Sequence, residues 1–328
     1  MHLHKSSISG ISLDAAGLVA LADLSTIAER TALTGSTSFF DVLFLAPGLH
    51  TQQEASKVNE GELPAAGAMT SGYVFRIENQ ATVNYLQKIG EAGCLVTVNV
   101  SKRSARSSAL IRPLRSLFAG GPIPSLLYCT GIALTIISFA ILGAINDYWA
   151  VGVLLMLTTA RFLNVVVLKR RAQKGWKGAL EPGVKGDLLI LLSQDRWVRM
   201  KGMVDDIKTV TSGQWLRDQT TVEGFATAFA TLLVYSAAAL ASNASKVGSL
   251  FIATLLLVSV GLLGICNALT RDLQMFDCTV HVVAGPKKYN RRLDMAEELI
   301  KEAGRDDWAI GMGLIVAPPD TVQPRVTL

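Results

Sequence analysis

Four stretches of this 328-residue chain are long and apolar enough to cross the roughly 30 Å hydrocarbon core of a bilayer, a distance that takes about 20 helical residues. They cover residues 123–145, 148–168, 225–242 and 247–269. The first and last carry no charge, the second carries only Arg161, and the third is rich in alanine. Asn146 and Asp147 alone separate the first pair, and Asn243, Ala244, Ser245 and Lys246 separate the second. Links this short make each pair an antiparallel hairpin. Charged residues make up 17% of the chain, against about 25% in soluble domains, and the deficit is confined to these stretches.

Lysine and arginine set the expected orientation. Lys102, Arg103, Arg106, Arg112 and Arg115 precede the first span, and Lys169, Arg170, Arg171, Lys174 and Lys177 follow the second. Arg271, Lys287, Lys288, Arg291 and Arg292 follow the fourth, whereas the two short links hold only Lys246. Both termini and the central loop are therefore expected in the cytosol. The organisation read from this is a cytosolic N-terminal α/β segment (1–122), a first transmembrane hairpin (123–168) and a cytosolic central loop (169–224). A second hairpin (225–269) and a cytosolic C-terminal α/β segment (270–328) complete it. Residues 1–10 are polar and lack the apolar core of a signal peptide, so insertion is expected to start at the first span. Asn243-Ala244-Ser245 matches a glycosylation sequon on the far side, but lies too near the membrane to be modified.

The polar segments carry their own patterns. Ser12 is placed to cap a helix bearing Leu18, Leu21, Leu24 and Ile27 that ends near Gly35. Residues 39–45 read as a short apolar strand and 46–72 as loop. A strand at 73–77, a helix capped by Asn79 and an alternating strand from Cys94 to Val100 follow. This is the order of a right-handed crossover between parallel strands. In the central loop, residues 187–193 form a continuous apolar run, the mark of a strand covered on both faces. Gln194 and Asp195 turn it into a second strand at 196–201, Val204, Ile207 and Val210 mark a short helix, and Trp215 is placed at the membrane interface. Toward the C-terminus an alternating strand at 276–282 leads to a helix at 290–303 stopped by Gly304. A strand is expected at 309–316. No segment can bury a core alone, so all three are expected to assemble into one α/β module beneath the bundle.

Residues 186–218 (GDLLILLSQDRWVRMKGMVDDIKTVTSGQWLRD) and 291–311 (RRLDMAEELIKEAGRDDWAIG) resemble segments of uncharacterised multi-pass membrane proteins of filamentous fungi. The resemblance extends over the last two-thirds of the chain, including all four spans. It implies membership of a multi-pass membrane family and transfers no activity, cofactor or catalytic residue.

Arg161 is the most informative single residue. With a 1.5 Å rise per residue it lies roughly 10 Å inside its span, and an intramembrane charge marks function or a structural pairing. Thr158, Arg161 and Asn164 recur three apart and form one polar stripe. Asn267, Glu223 and Asp272 lie at comparable or shallower depth, so a cluster of Arg161, Asn164, Glu223, Asn267 and Asp272 is a candidate anion site. The alternative is that Arg161 snorkels or pairs structurally. Lys102, Arg103, Arg106, Arg112 and Arg115, with Lys169, Arg170 and Arg171, form a candidate basic patch for anionic lipid headgroups. Gly261 and Gly264 suggest close helix packing.

Other chemistry is thin. Cys94, Cys129, Cys266 and Cys278 lack metal-ligand spacing and read as small apolar residues. Asp205-Asp206 and Asp306-Asp307 are sequence neighbours, which on a helix do not face each other. No nucleotide loop, dinucleotide fingerprint, nucleophile elbow or zinc motif is present. No catalytic residue, metal or cofactor is expected, and no basic module of the nucleic-acid-binding kind. Three functions compete: a membrane-anchored scaffold or regulatory protein with a cytosolic partner-binding module, a small oligomeric transporter or channel using the Arg161 stripe, and a membrane enzyme at the cytosolic face.

Overall fold

The computed structural model describes residues 16–102 and 120–316. Four helices in it are long and apolar enough to cross a membrane: Pro122–Ala144 (α5), Tyr148–Arg171 (α6), Thr221–Leu240 (α8, prolonged by a 3-10 turn to Asn243) and Lys246–Leu269 (α9). The rest of the fold centres on one mixed seven-stranded sheet.

Short helices precede the first span: Ala16–Ala20 (α1), Thr26–Thr34 (α2), Ala55–Val58 (α3) and Gln80–Ile89 (α4). The strands are Ala65–Ala68 (β1), Val74–Arg76 (β2), Cys94–Lys102 (β3), Lys185–Leu192 (β4), Arg196–Met203 (β5), Leu273–Met275 (β6) and Cys278–Lys288 (β7). Val204–Thr211 (α7), Arg292–Ala303 (α10) and Asp307–Gly311 (α11) complete the described elements.

The strands lie in the order β2-β1-β4-β5-β3-β7-β6, and only β3 and β5 run parallel. Each helical pair is thus an insertion between strands of the same sheet. The chain leaves β3, passes through α5 and α6, and returns as β4 and β5 beside it. From β5 it passes through α8 and α9 and returns as β7 on the other side of β3. The apolar run predicted at 187–193 is β4. Leu188, Ile190 and Leu192 enter the core beneath α4 and α7, while Leu189 and Leu191 pack with Met295, Leu299 and Trp308 on the opposite face. Gln194 and Asp195 both take positive φ (59° and 53°), the left-handed geometry of a tight hairpin.

Several expectations are corrected. Residues 39–45 form a 3-10 turn (Phe39–Leu43), because Ser38 and Asp41 close a capping box at its start. The stretch 46–72 holds α3 and β1. The helix expected from Ser12 to Gly35 is broken at 21–25 into α1 and α2, and Ser12 itself lies outside the described residues. The strands β2 and β3 do not pair as a crossover; three strands separate them. Residues 307–311 are helical, docking Trp308 and Ala309 under the sheet. Trp215 is buried and donates its indole N–H to the Gly35 carbonyl (2.9 Å). Gly261 and Gly264 face open space.

The bundle also departs from two closed hairpins. The long contacts run between α6 and α8 and between α5 and α9, whereas α8 and α9 scarcely touch. The gap is filled from the N-terminal segment. Helix α1 packs against both α8 and α9, and the Phe39–Leu43 turn packs against α6 and α5. Ala20, Ile27, Phe44, Leu45, Ala46 and Leu49 share one apolar core with the spans. Glycine permits two of these approaches: a Cβ at Gly131 would collide with the Phe44 ring, and one at Gly17 with the Ala238 carbonyl. Opposite the sheet, the two links are joined. Buried Asp147 caps α6 through the Ala150 N–H (3.2 Å), and its other oxygen accepts from the Ser245 N–H (2.9 Å) and hydroxyl. Ser245 in turn caps α9 through the Gly248 N–H (3.0 Å).

Candidate functional site

The polar stripe on α6 faces the inserted N-terminal segment. Arg161 is 4% exposed, and its Nε donates to the main-chain oxygen of Asp41 (2.9 Å). The Asp41 carboxylate accepts from the Ser38 N–H (2.7 Å) and from the Tyr128 hydroxyl on α5. Tyr128 stacks on Phe44, with centroids 4.9 Å apart, and carries the Arg30 guanidinium 5.4 Å above its ring. Arg30 reaches on to the Thr270 hydroxyl at the end of α9 (3.1 Å). A buried cation, an anion and a phenol are thereby gathered from α6, the 3-10 turn and α5, where low dielectric strengthens each interaction and penalises each unmet group. Arg161 Nη1 is such an unmet group.

One turn along α6, Asn164 donates to the Leu49 carbonyl (2.8 Å) and receives Gln53 at both its main-chain and side-chain oxygens (3.0 and 3.2 Å). Gln53 also accepts from Arg171 (3.0 Å). Arg171 donates to the Arg217 carbonyl (2.8 Å), and Arg217 forms an ion pair with Glu223 (2.5 Å). Glu223 completes a capping box with Thr220 at the start of α8. The residues nominated from sequence thus fall in two chains of hydrogen bonds. Asn164 and Glu223 are linked through Gln53, Arg171 and Arg217. Asn267 lies on the other side, donating to the Thr26 carbonyl (2.8 Å), while Lys88 reaches the carbonyls of Asn267 and Thr270. Burial pushes the Lys88 ammonium below the ordinary lysine range. Asp272 stands apart, lining a cavity of about 380 Å³ with Arg271 and residues 120–124. The five do not form one cluster.

Of the basic patch, Lys102 is exposed at the end of β3, Arg170 is exposed, and Lys169 lies 3.9 Å over the Phe39 ring. Arg171 differs from them: it is 7% exposed and donates inward to Gln53. Arg103, Arg106, Arg112 and Arg115 lie outside the described residues. The residues that sequence reasoning missed are Asp41, Tyr128, Arg30 and Gln53. The one available signal was the Ser38-x-x-Asp41 spacing, which marks a helical start and was masked by the apolar residues around it.

Among the described residues no group of histidine, cysteine, aspartate and glutamate is arranged to hold a metal. Burial raises the Cys278 thiol to about 12, helped by Asp206. No family model, curated protein or solved structure matches this chain.

Proposed function

We propose that this chain is a membrane-anchored scaffold or regulatory protein that holds its sheet against the cytosolic face of a bilayer. One observation carries this reading: the polar stripe is closed by the chain's own backbone while the sheet keeps an open polar surface. Arg161 Nε and the Asn164 amide bond to the carbonyls of Asp41 and Leu49, so most of what a transport pathway would use is taken up by the chain itself, Arg161 Nη1 excepted. Gly17 packs at Ala238, about 25 Å along α8 from Thr221 by helix rise. Residues 16–53 are accordingly read as re-entering the bilayer from the cytosolic side. Irregular backbone at membrane depth is tolerated where protein buries it. The basic flanks, including Lys102, Lys169 and Arg170, support a cytosolic sheet contacting anionic headgroups. Kinship with the fungal multi-pass proteins rests on residues 186–218 and 291–311.

Purification in mild detergent tests the reading when wild type is compared with Lys185→Glu/Lys201→Glu, a charge reversal on the open sheet face. A stoichiometric cytosolic partner that is kept by wild type and lost by the variant is expected. A protein that retains no partner and drives solute flux in liposomes would overturn it in favour of a transporter.

A further inference from the structure

The sheet's second face is only half covered. Helices α10 and α11 seal the half bearing Leu95, Leu189 and Trp197. Beyond them the register places polar residues side by side: Asp187 opposite Lys201, Lys201 opposite Asn99, and Asn99 opposite His281. Lys185, two residues before Asp187, and Met203 and Ser101, two residues after Lys201 and Asn99, point the same way. This uncovered half opens into a cavity of about 700 Å³ at the carboxyl ends of β3 and β5. These are the sheet's one parallel pair among the described strands.

The charges of this cavity do not cancel. Asp187 is held by Arg199 in a two-pronged pair (2.8 and 3.0 Å), and Arg199 also meets Glu302 (2.5 Å), so that carboxylate is already engaged. Lys201 reaches Asp187 only at 3.9 Å. Lys102 and Lys185 line the same cavity and form no ion pair among the described residues. The one other carboxylate in the lining is Asp206, beside the Cys278 thiol (3.8 Å). The geometry points to a binding site for a phosphate-bearing ligand, with Lys102, Lys185 and Lys201 as cations and Asn99 and Ser101 as neutral donors. Lysine is a point-charge partner for phosphate, and the cavity is large enough for a phosphorylated headgroup or a small phosphate ester. The site stands whether the protein is a scaffold or a transporter, because it uses none of the buried bundle residues.

The source of the phosphate is separable. Purified full-length protein in neutral detergent is titrated with inorganic phosphate and with glycerol 3-phosphate by calorimetry. Native mass spectrometry then measures retention of phosphatidic acid against phosphatidylcholine. Saturable binding of the soluble probes identifies a phosphate ester; selective retention of phosphatidic acid alone identifies a lipid headgroup. Either supports the site, provided that Lys185→Ala/Lys201→Ala weakens binding about tenfold or more, the loss expected when charge-assisted hydrogen bonds are removed. Lys185→Arg/Lys201→Arg should retain most of the affinity, and raised salt should lower it. Both lysines are exposed, so unfolding curves of the variants should match wild type. The proposal is overturned if wild type binds neither probe class, or if the alanine variant binds as well as wild type.

Discussion

Asp147, in the link between the first two spans, accepts hydrogen bonds from both the N–H and the hydroxyl of Ser245, in the link between the last two. One carboxylate therefore caps its own helix and ties together the ends of both hairpins. Asp147→Ala should cost about 1–3 kcal/mol, the range for a lost cap that also leaves buried donors unmet. Asp147→Asn keeps an acceptor and should cost less. Denaturant unfolding in detergent measures both, and equal stability of Asp147→Ala and wild type would remove the latch from the account.

Asp41 gives its main-chain oxygen to Arg161 Nε from a segment 120 residues away, and its carboxylate accepts from the Ser38 N–H and the Tyr128 hydroxyl. Asp41→Ala keeps that main-chain contact but leaves the Ser38 N–H and the Tyr128 hydroxyl without their acceptor, and should destabilise by about 1–3 kcal/mol. Asp41→Ala combined with Arg161→Met should cost less than the sum of the two single losses, because the attraction between the carboxylate and the buried guanidinium acts only when both are present. A double-mutant cycle on thermal unfolding tests this; additive losses would show that the two residues act independently.

Gly131→Ala should disturb the bundle, since the new methyl enters the Phe44 ring. Overpacking of this kind costs about 1–3 kcal/mol, and Phe44→Leu should relieve it. Gly261→Ala and Gly264→Ala meet open space and should be neutral or slightly stabilising within their helix. Stability ranked in the opposite order would contradict the packing described.

Lys88 gives a pH signature. Its pKa is depressed by burial, so between that value and the ordinary lysine pKa the unfolded chain binds more protons than the folded one. Stability contributed by this residue rises with pH through that window and is lost as pH falls through the depressed value. Unfolding measured across the alkaline range should show this slope in wild type, and a smaller one in Lys88→Met. Identical slopes would show that folding does not lower the Lys88 pKa.

The four long helices were legible because hydrophobicity over twenty residues is a signal that no local context reverses. The strand at 187–193 was legible for the same reason, and the Asn79 cap because capping is a property of adjacent residues: its side chain accepts from the Thr82 N–H (3.1 Å). What the sequence concealed is long-range. Nothing near Arg161 names Asp41 as its neighbour, and Arg30 sits on a helix whose pattern gives no hint that it lies over Tyr128. The apolar residues 39–45 looked like a strand because hydrophobicity there serves a partner, the spans, that local periodicity does not encode. The splaying of α8 from α9 was hidden by their four-residue link, which fixes where two helices join and not what lies between them.

The placement of both helical pairs inside one sheet sets an order on biogenesis. Strand β3 leaves the ribosome before any span, yet its neighbour β5 arrives only after the first two spans and its other neighbour β7 only after all four. Until β7 is made, one edge of β3 therefore keeps unmatched peptide groups, and a message truncated before Cys278 yields a product whose β3 edge stays open to aggregation or to a quality-control protease.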